Sequence, residues 1–300
     1  MNNKYSNPRI DLPNQNGNAQ FGKVKLDPIK TIWFTLMMSL GTIGSLLTIS
    51  ISSVLLFALF TGFTLCFGHS LGMHRRFIHR SYQCHKFLEV FFVHLGTLVG
   101  LAGPFGMLKT HDLRDWAQRQ EQCHDYFSHG CIWYKDAYWQ ILCSMQLDKP
   151  PLFKTEKKIA DDPVYIWMER TWMLQQLPWA ILFFVIGGWS WVFWGICSRV
   201  TVSIIGHWLI GYFAHNKGHR DWHVENAAVQ GHNIYWTSLL TMGENWHNNH
   251  HAFPHSAKLG LQQGQWDPGW WMLLVLQRLK LVNNLIVADV KLTRPELHQI

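Results

Sequence analysis

Thr31–His74, TIWFTLMMSLGTIGSLLTISISSVLLFALFTGFTLCFGHSLGMH, runs for 44 residues without one Asp, Glu, Lys or Arg. A helix crosses the hydrocarbon core of a bilayer with about 20 apolar residues. This stretch therefore holds two crossings, joined by a tight turn predicted near Ser50–Ser53. A second block, Thr171–Asn216, extends 46 residues with Arg199 as its only charge, and its turn is predicted at Gly187-Gly188.

The flanks orient both blocks. Lys23, Lys25 and Lys30 precede the first, and Arg75, Arg76 and Arg80 follow it; Arg170 precedes the second, and Lys217 and Arg220 follow. The connecting turns carry no charge. Cytosolic flanks of membrane helices collect Lys and Arg, so both hairpins enter from the cytosol and return to it. Val90–Leu108, with four glycines and Pro104, reads as interfacial or re-entrant, and Pro268–Val287 as an amphipathic helix in the interface. The fold class expected is an all-α integral membrane protein, with four transmembrane helices in two hairpins under a cytosolic, histidine-rich helical cap. The membrane domain spans residues 30–290. It lies between a disordered, polar N-terminal tail (1–29), which has no apolar core of a signal peptide, and a C-terminal tail (291–300); both termini are expected in the cytosol.

Composition agrees with a bilayer as solvent. The chain is 48% hydrophobic and only 15% charged, with 17 Trp, a residue that favours membrane–water interfaces. A mean hydropathy of −0.03 averages long uncharged runs with a polar, His-rich remainder. The net charge of +7 suits an anionic membrane surface, an acidic redox partner or a phosphorylated head group. The basic residues are scattered between apolar spans, which argues against nucleic acid. The six cysteines form no CxxC pair and read as reduced thiols.

Of 18 histidines, 17 fall between His69 and His255. His247-Asn-Asn-His250-His251 sets three imidazoles at i, i+3 and i+4 on one helical face, where they are expected to converge on a single point. Neutral imidazole ligates iron, copper and zinc. His69, His74 and His79 recur every five residues at the exit of the second span. On an α-helix that spacing turns the side chain by about 140°, so His74 and His79 either serve two neighbouring ions or the helix ends between them. His215, just past the fourth span, can reach the same side. Clusters of this kind fit two metal ions in a mainly imidazole shell, with scarce carboxylates such as Glu244 supporting the rings; structural zinc is the runner-up.

At these residues the chain resembles the membrane fatty acid desaturases with three histidine boxes, over roughly residues 30–285. His74-Arg-Arg-Phe-Ile-His79-Arg-Ser-Tyr looks like the first box, HxxxxH followed by R-[ST]-[YF]. Gly243-Glu-Asn-Trp-His247-Asn-Asn-His250-His251-Ala-Phe-Pro254 is similar to GEGxHNxHHxFP. Asp161-Asp162-Pro163-Val164 resembles the family's DP segment before the third span, and His215 its lone histidine after the fourth. The resemblance implies two Fe2+ ions that use O2 and electrons from a separate donor, such as ferredoxin or cytochrome b5, to remove two hydrogens from a fatty acyl chain carried as acyl-CoA or acyl-lipid.

The second box departs from the pattern W-x-x-x-HxxHH-x-[YF]. Anchored on Trp116 and Tyr126, it reads Gln120, Cys123 and His124 at the three ligand positions, and the family's Asn one turn before His215 is Gly211. The ligand set implied is His74, His79, His124, His215, His247, His250 and His251. Nearby His111 and His129, the Gln120 carbonyl or a Cys123 thiolate can replace what is missing. Alternatively one iron keeps an open position suited to hydroxylation or another lipid oxygenation, or one metal and its chemistry are lost and the protein is non-catalytic. Outside the boxes, Arg199 is expected to face the bundle in a structural role, His94 and His207 to be core or interfacial, and Trp246 to pack the site.

Overall fold

The computed structural model describes residues 9–10, 17–290 and 294–300. The remainder of the two expected tails, residues 1–8, 11–16 and 291–293, lies outside the described residues. The chain is predominantly helical. Among the described residues three helices are long and apolar enough to cross a membrane, Pro28–Leu47, Ile51–Ile78 and Gln176–Asn216.

Each helix begins and ends for a local reason. Pro28 opens α1 (Pro28–Leu47), whose first free amides, at Ile29 and Lys30, donate to the Asp27 carboxylate at 3.1 and 3.2 Å. Helix α2 (Ile51–Phe63) starts with a reciprocal cap between Ser50 and Ser53, so the first turn, expected near Ser50–Ser53, falls slightly earlier, at residues 48–50. From Thr64 to Ile78 the same rod continues as a wide π-type helix. The third rod comprises α9 (Gln176–Val192), a π-type turn at Phe193–Ser198 and α10 (Arg199–Asn216). It breaks at Gly188, φ 64° and ψ −159°, a backbone region glycine adopts without a Cβ clash. That break is where the second turn was expected.

The two turns meet. Ser190 Oγ donates to Thr48 O at 2.6 Å, Trp191 Nε1 to Ser52 Oγ at 3.2 Å and Trp194 Nε1 to Ser45 O at 3.2 Å. Apolar side chains around them face outward, Leu47 at 80% and Ile51 at 82% exposure, as suits a surface solvated by lipid. Arg199, fully buried, donates to Gly195 O (2.8 Å), Leu98 O (2.7 Å) and Gln176 Oε1 (2.6 Å). It thus ties α10 to the end of α3 (Lys86–Leu98), and its role is structural. His94 is likewise satisfied, between Gln175 Oε1 and Trp179 Nε1 at 3.1 Å each.

The cap is built from shorter elements: α4 (Pro104–Gln118), α5 (Asp125–Ser128), α6 (Trp133–Leu142), α7 (Lys157–Ala160), α8 (Pro163–Arg170), α11 (Ser238–Thr241), α12 (His247–Ala252) and α13 (Pro268–Arg278). Val90–Leu108 is divided between α3 and α4, and α3 packs against the π-helical rod, where Leu95 backbone closes on Gly68. Three two-stranded antiparallel sheets stitch the cap: β1 (Asn18–Leu26) with β3 (Cys143–Lys149), β2 (Gln83–Cys84) with β5 (Val282–Asn283), and β4 (Trp222–Val224) with β6 (Leu297–Gln299). Asn18–Leu26 was expected in a disordered tail and Leu297–Gln299 in the C-terminal tail. Both are strands, because their partners lie more than a hundred and more than seventy residues away, beyond the reach of local pattern.

Arg75, counted from sequence as a cytosolic flank charge, is 1% exposed. It donates to Asp267 Oδ1 (2.8 Å) and Ala257 O (2.6 Å). Asp267 in turn caps α13 at Trp270 N and holds the Leu259 amide, so one buried ion pair fixes the π-helical rod against the cap.

Candidate metal centre

Two groups of imidazoles face each other in the cap, buried except for the half-buried His111 and His247: His74, His79, His111 and His250, and His215, His247 and His251. Within each group one ligating nitrogen per ring lies within 4.8 Å of the others. In the second group, Nε2 of His247 is 3.1 Å from that of His215 and 3.0 Å from that of His251. Two nitrogens each about 2.1 Å from one ion, at right angles, would stand about 3.0 Å apart.

The third box is divided between the groups, not gathered on one point as its spacing suggested. Successive residues of an α-helix diverge by about 100°, so His250 and His251 look to different sides, whereas His247 and His251 differ by only about 40°. His74 and His79 do share a group, with rings 4.7 Å apart. The α-helical rotation that would separate them does not apply: the rod is π-type here, and His79 N donates to His74 O at 3.0 Å, an i to i+5 bond that sets one ring over the other.

Local chemistry orients the rings. Gly211 O accepts from His215 Nδ1 at 2.7 Å, and the Asp112 carboxylate from His111 Nδ1 at 3.3 Å. Each acceptor holds the proton on Nδ1 and leaves the Nε2 lone pair for the group, the usual support of a metal-bound histidine. Asp112 is itself paired with Arg9, which also donates to Ile78 O. Glu244 Oε2 approaches His74 Nδ1 at 2.6 Å, off the N–H direction, so this contact is electrostatic more than a directed hydrogen bond. Asn248 and Asn249 turn away from the rings and moor α12: Asn248 bonds Asp221 N, Trp222 N, Trp222 O and Gly231 O, and Asn249 bonds Leu259 O and Gln265. Trp246 is buried against Trp266 O and packs the site.

The donor set fits a transition metal. Burial pushes His79, His250 and His251 well below the ordinary imidazole range and His247 down to about 3, so these rings are neutral and their lone pairs available. His250 Nδ1 is buried without a hydrogen-bond partner. Imidazole nitrogen suits iron among the borderline metals.

The second-box residues divide differently from the expectation anchored on Trp116. His111 enters the first group. His124 is in neither: its Nδ1 accepts from Tyr126 N at 3.1 Å, starting α5, and its ring packs 5.7 Å from Trp139. Gln120 donates to Trp116 O, and Cys123 packs beside Trp116 and Tyr126 in a separate core, where burial pushes the thiol up to about 11 and no thiolate forms. Trp116 misled because it faces that core, away from the imidazoles. The spacing HxxHH fits His111-Asp112-Leu113-Arg114-Asp115 instead, and α4 turns His111, Asp115 and Gln118 to one side. Gln118, missed from sequence, reaches His215 Nε2 with its amide at 3.0 Å.

His129 borders the second group, its ring stacked 5.2 Å from His215. Its Nδ1 donates to buried Asp136 at 2.8 Å, and its Nε2 accepts from Arg114 at 2.8 Å. Burial, with Arg114 adding to it, holds His129 at about 4.

A cavity of about 250 Å3 joins both groups to Trp33 and Phe34 of α1 and to Ile204 and Trp208 of α10. It runs from the ligating nitrogens into the apolar spans. His69 and His207 line it as a T-shaped pair, 5.1 Å apart.

Comparison with known proteins agrees with this architecture. The fatty acid desaturase family model matches residues 50–263. The chain is 36% identical over 225 residues to an sn-1 stearoyl-lipid 9-desaturase of Anabaena variabilis, covering 75% of this chain and 80% of the relative. It is 32% identical to an sn-2 palmitoyl-lipid 9-desaturase of Nostoc sp. (strain 36), covering 73% and 76%, and 28% identical to an acyl-CoA 5-desaturase of Anemone leveillei, covering 74% and 68%. A membrane-helical scaffold carrying two imidazole groups over an apolar cavity, together with a family match across most of the chain, makes this protein a member of the fatty acid desaturase family of oxidoreductases.

Proposed function

We propose that this protein is an O2-dependent, two-iron membrane desaturase that introduces a double bond into a lipid-linked acyl chain. The observation that carries the reading is the cavity, which is lined both by six of the seven imidazoles of the two groups, all but His79, and by the apolar side chains of two spans. His74, His79, His111 and His250 would hold one ion, and His215, His247 and His251 the other. Bound iron would supply the oxidising chemistry that the amino acids lack.

The chain's own residues do the rest. Asp112 and the Gly211 carbonyl hold His111 and His215 in the ligating tautomer. The cavity would seat the acyl chain along Trp33, Phe34 and Ile204, so that one C–C bond is placed against the metal groups; positioning of this kind governs which bond reacts. The relatives above 30% identity are named for stearoyl-lipid and palmitoyl-lipid, which favours a lipid-linked acyl chain over acyl-CoA.

The finer topology belongs to the same proposal. Four spans in two hairpins are supported by the break at Gly188 and by the hydrogen bonds that Ser190 and Trp191, just beyond it, make to Thr48 and Ser52. The flanking Lys and Arg favour both termini and the metal site on the cytosolic side, where a ferredoxin or cytochrome b5 would deliver electrons to the basic face.

Lipid extracts of desaturase-deficient cells expressing the protein test the reading by mass spectrometry. New double bonds in glycerolipid acyl chains are expected. Hydroxylated chains without alkene, or unchanged lipids from well-expressed, iron-loaded protein, would overturn it.

A further inference from the structure

The two imidazole groups are unequal, four rings against three, and one buried oxygen beside them has no partner. Asp115 sits one turn after His111 on α4 and is 6% exposed. Its Oδ1 accepts from Arg119 Nε at 3.1 Å, while its Oδ2 is buried with no hydrogen bond at all. The same guanidinium donates to His251 O at 2.7 Å, so Asp115 is tied to α12, which carries two of the three rings of the smaller group. Asp115 also lines the cavity that both groups share.

An ionised carboxylate oxygen left bare in the interior is costly unless a hydrogen bond or a cation completes it. The neighbouring acceptor, Glu244, is already engaged by Ser70 and faces His74. Arg114, one position earlier on α4, is directed to His129 and Gln140, so Arg119, bonded at Oδ1, is the cation on Asp115, and Oδ2 stays bare in the wall of the shared cavity. Carboxylates share two-iron sites with imidazole in other helical scaffolds.

Resting on the two-iron reading above, we propose that Asp115 Oδ2 is the oxygen ligand that completes the metal held by His215, His247 and His251. The second box of this chain is then His111-x-x-x-Asp115, one imidazole to one ion and one carboxylate to the other.

Iron counting on the purified full-length protein tests this without any turnover. The unaltered protein should carry about two irons per chain. Asp115→Asn keeps the contact to Arg119 through its carbonyl and should carry about one, with Fe2+ affinity at the emptied site lowered at least tenfold. Asp115→Glu, which restores a carboxylate, should carry two, and it separates ligand loss from misfolding if the Asn variant lacks a thermal transition. Two irons with unchanged affinity in Asp115→Asn would overturn the ligand assignment alone. No iron in the unaltered protein would overturn the two-iron reading and this inference together.

Discussion

His129 lies flat against His215, ring planes 10° apart, in the space that a side chain at position 211 would need. A Cβ at Gly211 would stand 3.3 Å from both Cε1 and Nε2 of His129, so the small residue and the imidazole are a matched pair. Gly211→Leu should lower the thermal midpoint, since overpacking costs about 1–3 kcal/mol. In a His129→Ala background the same change should cost clearly less. Thermal unfolding of the four proteins in detergent measures the coupling, and equal costs in both backgrounds would show that the two positions do not share space.

The division of the third box has a signature in metal content. His250→Ala and His251→Ala should each retain about one iron, from different sites. Combining His250→Ala with His79→Ala should still leave one, because both serve one group; combining it with His251→Ala should leave none. Loss of both irons from the first pair would place His79 and His250 on separate ions.

His111 depends on a residue that touches no metal-facing nitrogen. Asp112 holds its Nδ1 proton and is itself held by Arg9. Replacing such a supporting carboxylate usually weakens metal binding 10–100-fold. Asp112→Asn should do so at one site only, in Fe2+ titrations of the metal-free protein, with the other site unchanged. A uniform loss at both sites would mean that the pair with Arg9 supports the fold at large.

Acid should destabilise the metal-free protein. Burial holds His247 at about 3 and, with Arg114, His129 at about 4, both below the ordinary value of 6.5. The unfolded chain takes up protons that the folded one refuses. The contribution of these rings is therefore complete above pH 6.5 and falls as the pH drops toward 3. The thermal midpoint of metal-free protein should decline across that window, and less steeply in His247→Gln. A flat profile from pH 7 to 4 would contradict the burial of neutral rings.

Arg199 is a pure test of span packing. Arg199→Ala leaves Gly195 O and Gln176 Oε1 without this donor in the apolar bundle, and a buried unsatisfied group costs about 1–3 kcal/mol. The midpoint should fall while iron per chain stays at its unaltered value. A parallel loss of iron would mean that the spans, and not the cap alone, set the geometry of the metal groups.

Much of this was legible in the sequence, for definite reasons. Charge-free runs of 44 and 46 residues leave little freedom in a bilayer, and both turns fall where the runs could break, at Thr48–Ser50 and Gly188. Six of the seven imidazoles in the two groups came from the boxes and from His215, and His111 was in view as a neighbour. The errors share one cause, which is distance in the chain. Trp116 looked like a marker of the second box, but it packs with Tyr126 in a core that the local pattern does not reveal. The π-type winding that unites His74 and His79 leaves no trace in hydrophobic spacing. Asp115 reads as an ordinary i,i+4 partner of Arg119 until its second oxygen is found bare.

The mooring of α12 also sets a time order. Asn248 holds the ring-bearing helix to Trp222, and Trp222 belongs to a strand completed only by Leu297–Gln299. A nascent chain that has emerged through Ala252 already owns every imidazole of both groups, yet lacks the strand that braces the helix presenting three of them. Bracing of α12 is therefore complete only when Leu297–Gln299 has paired with Trp222–Val224, so every imidazole of both groups is made before the last strand that holds this helix.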